Sequence, residues 1–174
     1  LSVTAFEPDI ELVRKYKRKY YNDISCIDYS QTEELIRKNV QFDSVLCSLV
    51  LCHPLASTKK DRTQKIEKIM NNIIALSRRY IILTICNPFY THQSNSEIQV
   101  RILPKHFNYY KETKFSKKVY SSGNERYDIH RPISFYENLF KENKLNILKV
   151  IQTRDSGNTQ GIENSDFIIF VLSK

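Results

Sequence analysis

The sequence predicts an α/β fold, a largely parallel sheet that closes with an antiparallel hairpin. Strand-length apolar runs alternate with segments of 3.6-residue period, the pattern of successive βα units. The last two runs are joined by a polar loop, TRDSGNTQGIENSD, too short to hold a crossover helix, so they pair as a hairpin. A length of 174 residues fits one domain and suffices to bury a real core.

The elements follow in order. Val3–Phe6 is an apolar run that ends on Glu7, and Pro8 then opens PDIELVRKYKRKY as a helix, where a missing N–H is harmless. Ile24–Ile27 and Ser44–Leu49 are the next strands. DRTQKIEKIMNNIIALSRR is the clearest helix. Its Ile66, Ile69, Met70, Ile73 and Ile74 form one buried stripe, and Arg78 and Arg79 are expected in its last turn, where cations complement the dipole. Tyr80–Ile85 is the fourth strand. Residues 87–131, rich in aromatic and basic side chains and poor in periodicity, read as a lid, a binding segment or disorder. PISFYENLFKENK opens a helix at Pro132, and Ile147–Ile151 and Phe167–Leu172 supply the hairpin.

Composition narrows the class. The hydrophobic fraction is 41%, no apolar run approaches a membrane span, and no signal-peptide pattern is present, so a soluble cytoplasmic protein without membrane contact is expected. Cys26, Cys47, Cys52 and Cys86 lie in or beside apolar runs without paired CxxC spacing, which favours buried reduced thiols over disulfides or zinc. A net charge of +8 favours an anionic partner, although a lysine-rich solvated surface accounts for the total better than a nucleic-acid footprint does. Position is more informative than total. Within residues 87–131, Arg101, Lys105, Lys111, Lys114, Lys117, Lys118, Arg126 and Arg131 are opposed only by Glu97, Glu112, Glu125 and Asp128.

Five motifs in order carry a resemblance that covers nearly the whole chain. FDSVLCSLVLCHPL is similar to the fourth-strand motif of class I S-adenosylmethionine-dependent methyltransferases, an aspartate opening an apolar strand that ends beside the cofactor. VTAFEPD resembles that family's second strand with its acid, SCIDYS the third strand, RRYIILTICNPF the fifth, and HRPISFYENLFKENKLNILKVIQT the helix and sixth strand before the last hairpin. The resemblance implies a Rossmann-like methyltransferase sheet with a C-terminal antiparallel hairpin. It implies S-adenosylmethionine as cofactor and transfer of its methyl group to an oxygen, nitrogen or carbon nucleophile.

Residue by residue, the resemblance gives Glu7 the ribose hydroxyls; the alternative is an acid favoured at a helix start. Asp28 would accept from the adenine amino group with Tyr29 packing the ring, or else Asp28 caps SQTEELIRK. Cys47 and Ser48 would lie under the methionine part through backbone atoms, or simply belong to a core strand. His53 would stand near the methyl group as a base, the alternative being a structural loop histidine. His130 and Arg131 would face the acceptor, or start a helix with a solvent-facing arginine. Tyr90, Tyr109 and Tyr110 line a pocket or cover the sheet.

One departure from the family is plain. Its first strand and GxGxG loop should precede Val3, yet the only glycines are Gly123, Gly157 and Gly161. The expectation is therefore a single methyltransferase domain over 1–174, N-terminally incomplete, with the first strand absent from this chain and a substrate-side insertion at about 87–131. Such a fragment alone is expected to be inactive, and the missing strand should open a gap in the sheet. The acceptor is expected to be a small, anionic molecule. RNA bound through the basic insertion, or a non-catalytic scaffold or activating subunit, are the alternatives.

Overall fold

Ile81, Leu83 and Ile85, alternate residues of one strand, are completely buried, and the core is built against them. The computed structural model describes residues 3–7, 11, 14–15, 24–28, 31–53, 56–89, 99–119, 123, 125–153 and 167–174. Its elements are β1 (Val3–Glu7), β2 (Ile24–Asp28), α1 (Thr32–Arg37), β3 (Phe42–Ser48), a 3-10 turn (Val50–Cys52), α2 (Lys59–Leu76), β4 (Ser77–Cys86), β5 (Gln99–Ile102), β6 (Thr113–Val119), β7 (Glu125–His130), α3 (Ile133–Glu142), β8 (Asn146–Thr153) and β9 (Phe167–Ser173). Of the helix expected after Pro8, Glu11, Arg14 and Lys15 are helical and the rest lies outside the described residues.

The main sheet runs β3-β4-β9-β8. β3 is parallel to β4, and β9 is antiparallel to both β4 and β8, so the expected closing hairpin is present with its second strand inserted beside β4. Ile81, Leu83 and Ile85 lie opposite Leu172, Phe170 and Ile168, which puts all six side chains on one face because orientation alternates along a strand. Both long helices cover that face. Ile66, Met70 and Ile73 of α2, and Tyr136, Leu139 and Phe140 of α3, join the six in one buried cluster, with Ile69 and Ile74 packed at its margin. The stripe read from the sequence is the stripe that is buried.

β1 and β2 form a separate parallel pair, in register from Val3 opposite Ile24 to Glu7 opposite Asp28. Among the described residues this pair shares no ladder with the main sheet. The stretch read as irregular contains an antiparallel meander, β5-β6-β7. Its strands were hidden because TKFSKKV and ERYDIH carry charge where a half-buried strand usually shows apolar alternation. Gly123, between β6 and β7, takes the left-handed φ of +64° that glycine adopts freely.

Two helix boundaries differ from expectation. Thr58 caps α2 by accepting from the Asp61 N–H, and the helix stops at Leu76, so Arg78 and Arg79 belong to β4 rather than to a last helical turn. Pairing of Ser77 with Phe42 of β3 and a hydrogen bond from Ser77 Oγ to the Tyr80 carbonyl take the chain into the sheet early. Pro132 is the N-cap of α3, with extended ψ of 159°, rather than its first residue. Among the described residues no helix is long and apolar enough to cross a membrane.

Phe140 meets Phe170 edge to face, with ring centroids 5.0 Å apart. Phe140→Ala is expected to lower unfolding free energy by about 3–5 kcal/mol in urea denaturation, and Phe140→Leu, which keeps most of the volume, by about 1 kcal/mol.

Candidate active site

Because β3 and β4 are parallel, their carboxyl ends share one edge of the sheet, where ligands bind in open α/β folds. β3 leaves the sheet abruptly. Leu49 turns the chain with a left-handed φ of 59°, its N–H still bonded to the Thr84 carbonyl at 2.9 Å, and the 3-10 turn then delivers His53. That conformation costs a leucine roughly 1–2 kcal/mol, so contacts of the turn must hold it. Leu51 and Cys52 are buried, the Cys86 N–H donates to Cys52 Sγ at 3.1 Å, and the Arg131 guanidinium donates through Nη1 to the Leu51 carbonyl.

Arg131 follows β7 and is fully buried, which excludes the solvent-facing arginine considered from the sequence. Its Nε donates to Glu112 Oε2 at 3.1 Å. Glu112 Oε1 also accepts from Arg62 of α2, at 2.7 Å from Nη2 and 2.9 Å from Nε, while Arg62 Nη1 reaches the Ser57 carbonyl at 3.0 Å. One carboxylate thus holds two guanidiniums, and the cluster keeps a net positive charge. Arg131 Nη2 has no hydrogen-bond partner among the described residues.

His53 is more than half exposed, and its Nδ1 lies 3.2 Å from Asp128 Oδ1. Asp128 is buried on β7, and its other oxygen accepts from Lys117 Nζ of β6 at 2.5 Å. The hydrogen bond to Asp128 raises the His53 pKa above its ordinary 6.5, against a smaller opposing effect of burial. Burial works against ionisation of Asp128, but its bonds to His53 and Lys117 outweigh burial and hold the carboxyl below its ordinary range. With its Nδ1 proton directed at a carboxylate, the imidazole keeps the Nε2 lone pair, the arrangement of an oriented general base.

His130 is built differently. It is buried, its Nε2 lies 2.7 Å from the Tyr109 carbonyl, and its ring packs edge-on to Phe107. Burial, reinforced by Arg101 and Arg131, lowers its pKa. The neutral ring donates to that carbonyl and ties the end of β7 to residues 107–109. Tyr109 stacks on Phe89 and Tyr110 is 82% exposed.

Cys47 is buried on β3, its thiol pushed up to about 11 by burial, and Ser48 is exposed at the strand end. Glu7 and Asp28 end adjacent parallel strands opposite each other. Their side chains, and Tyr29 and Tyr90 entirely, lie outside the described residues. The N-cap of α1 is Gln31, without a side-chain capping bond. Cys52, Cys86, Arg101, Asp128, His130 and Arg131 line a small cleft, partly open to solvent. Asp128, Lys117, Glu112 and Arg62 were not singled out as site residues by the sequence reading. Recognising residues 125–130 as a strand would have shown Asp128 and His130 to share a face.

No protein-family model matches the chain, and no curated protein sequence does. Solved structures do match. An S-adenosylmethionine-dependent methyltransferase from Clostridium acetobutylicum is similar over 99% of this chain and 75% of its own, at 12% identity and a TM-score of 0.58. The glycopeptide N-methyltransferase MtfA, complexed with S-adenosyl-L-homocysteine, is similar over 98% of this chain and 73% of its own, at 7% identity and a TM-score of 0.66. The CcbJ methyltransferase from Streptomyces caelestis gives 98%, 73%, 9% and 0.57 for the same quantities. The fold is that of the class I S-adenosylmethionine-dependent methyltransferases. At these identities the likeness lies in the fold. In it, the order β3-β4-β9-β8 places the turn carrying His53 at the edge where the methyltransferase fold opens.

The His53 ring protons, followed by NMR, should titrate above pH 6.5, and Asp128→Asn should bring the midpoint down. The stabilisation from protonated His53 on Asp128 should be complete below the ordinary histidine pKa and be lost as pH rises through the raised one. Glu112→Ala, which strands the Arg131 charge in the interior, should cost about 3–5 kcal/mol in denaturant unfolding. Removing the exposed Arg78–Asp43 pair, in contrast, should change stability by less than about 1 kcal/mol.

Proposed function

We propose that this protein transfers the methyl group of S-adenosylmethionine to an oxygen or nitrogen nucleophile of a small anionic acceptor, with His53 as general base. The observation that carries the reading is the His53–Asp128 pair at the carboxyl edge of β3 and β4, in a fold shared with solved methyltransferases. S-adenosylmethionine, when bound, supplies an activated methyl group, and the chain's task is to hold, orient and deprotonate.

The chain has groups that fit the cofactor. Glu7 and Asp28 end neighbouring strands side by side, and two carboxylates suit the hydroxyls of a ribose and the amino group of an adenine. Tyr29 would pack the ring, and backbone atoms of Cys47 and Ser48 would lie beneath the methionine part. His53 Nε2 would take the acceptor's proton, and Asp128 would stabilise the imidazolium formed. His130 would position the end of β7 rather than move a proton, since its Nε2 is committed to the Tyr109 carbonyl.

An anionic acceptor is supported by the positive charge held inside the site. Arg131 brings a buried Nη2 without a hydrogen-bond partner among the described residues, and Lys117 is mostly buried beside Asp128. The RNA alternative draws instead on exposed Lys114 and Lys118, with exposed Tyr110 and Tyr127 available for stacking. Those residues are solvent-facing, whereas Arg131 is enclosed, which favours the small acceptor.

Calorimetric titration of the full-length protein with S-adenosylmethionine tests the reading. Binding is expected, with Glu7→Ala weakening it by about 1–3 kcal/mol, the size of lost hydrogen bonds to a charged group, at unchanged thermal stability. Absence of binding would sink the enzyme reading in favour of a scaffold. A variant that lost stability but not affinity would make Glu7 a helix-start residue.

A further inference from the structure

The proposed methyl transfer leaves unused two side chains that line the cleft. Cys86 is the last residue of β4 and Cys52 the last of the 3-10 turn, so they stand at the carboxyl ends of neighbouring parallel strands. The Cys86 amide lies 3.1 Å from Cys52 Sγ. An N–Cα bond is about 1.46 Å, so the Cα of Cys86 is within about 4.6 Å of that sulfur, a span that disulfide geometry accommodates. Cys52 is buried and Cys86 partly exposed, and both face a cleft open to solvent.

We infer that Cys86 and Cys52 form an oxidative modification site, an attacking thiol and its resolving partner, which peroxide links into a disulfide. Exposure divides the two roles, since Cys86 is reachable from the cleft and Cys52 is enclosed. The hydrogen bond with Cys52, helped by Arg101 and Lys117, holds the Cys86 thiol below its ordinary pKa against burial and the Asp128 charge. The same hydrogen bond, together with burial, pushes the Cys52 thiol up, so it keeps its proton. His53, bonded to Asp128, and the buried Tyr136 and His130 are further titratable neighbours. Reactivity of this kind belongs to a thiolate in a cationic, reachable setting, which Cys47, buried and pushed up to about 11, does not have.

The Cys86 thiolate attacks one oxygen of hydrogen peroxide, the O–O bond breaks, and Cys86 becomes a sulfenic acid as hydroxide leaves. The Cys52 sulfur then attacks the sulfenyl sulfur. Its proton leaves with the displaced hydroxide as water, and the S–S bond forms. Two electrons pass from the two thiols to the peroxide, which ends as two waters, and a dithiol reductant reverses the change. The link would fasten the turn that carries His53 to the end of β4, placing the redox state of the pair in control of the cleft wall.

Treatment of the full-length protein with hydrogen peroxide, alkylation of remaining thiols and digestion without reduction tests this by mass spectrometry. The expected product is a peptide pair joined through Cys52 and Cys86, two hydrogens lighter than the free peptides and restored by dithiothreitol. Cys52→Ser should leave Cys86 as a sulfenic acid that dimedone traps, with linked product reduced more than about tenfold. Oxidation of Cys47 at the rate of Cys86, or a Cys86 sulfenic acid that persists unresolved in the wild type, would overturn the assignment. If the serine variant fails to fold, the wild-type peptide map decides by itself.

Discussion

The buried guanidinium of Arg131 is the tie on which the site depends. It joins three elements that are remote in the chain: the meander that ends in β7, the turn after β3 through the Leu51 carbonyl, and α2 through the Glu112 carboxylate shared with Arg62. Burying such a charge unpaired costs several kcal/mol, so the guanidinium cannot leave Glu112 without destabilising the fold. The pairing therefore fixes where β7 lies relative to the turn. Asp128 and His53, three residues upstream of Arg131 and two residues downstream of Leu51, meet as a consequence.

Two histidines at this edge receive opposite treatment from their surroundings. His53 gains from a carboxylate partner, and His130 loses from burial and two arginines. The hydrogen bond to Asp128 raises the His53 pKa, and partial burial of the ring opposes it. Lys117, bonded to the other carboxylate oxygen, opposes part of that rise. The three groups form a graded set in which the base is oriented by a charge whose strength is already partly spent. His130, neutral and donating to a carbonyl, has the chemistry of a structural fastener.

Much of the sheet was legible because its burial is one-sided or complete. β4 and β9 are continuous apolar runs, and the α2 stripe repeats at helical spacing, so period and length sufficed. The meander escaped because its strands face charge, and its buried positions, Phe115, Asp128, Ile129 and His130, do not form an apolar alternation. The end of α2 was misplaced because sheet pairing at Ser77 overrode a sequence that could have continued as helix. Of the candidate site, His53 was legible from its place after the β3 run, but Asp128 lies 75 residues away and no local pattern links them. Arg131 was read as facing acceptor or solvent, and its burial, which removes the second alternative, had no signal in the local sequence.

Ladder geometry bears on how the proposed cofactor site would behave. In that reading the adenosine end belongs to Glu7 and Asp28 on the β1–β2 pair, whereas the methyl end belongs to the turn after β3. Among the described residues these two ladders share no strand pairing. Affinity then depends on how firmly the two are held in one arrangement, because any freedom between them must be lost on binding and offsets part of the attraction for the cofactor. Within the main sheet that freedom is small. β3 is locked to β4 along six paired positions, and the Leu49 turn is held from both sides by Thr84 and Arg131. In that reading the rigid half of the site is the half that would carry the base, and tuning of cofactor affinity would fall to whatever orders β1 and β2 against it.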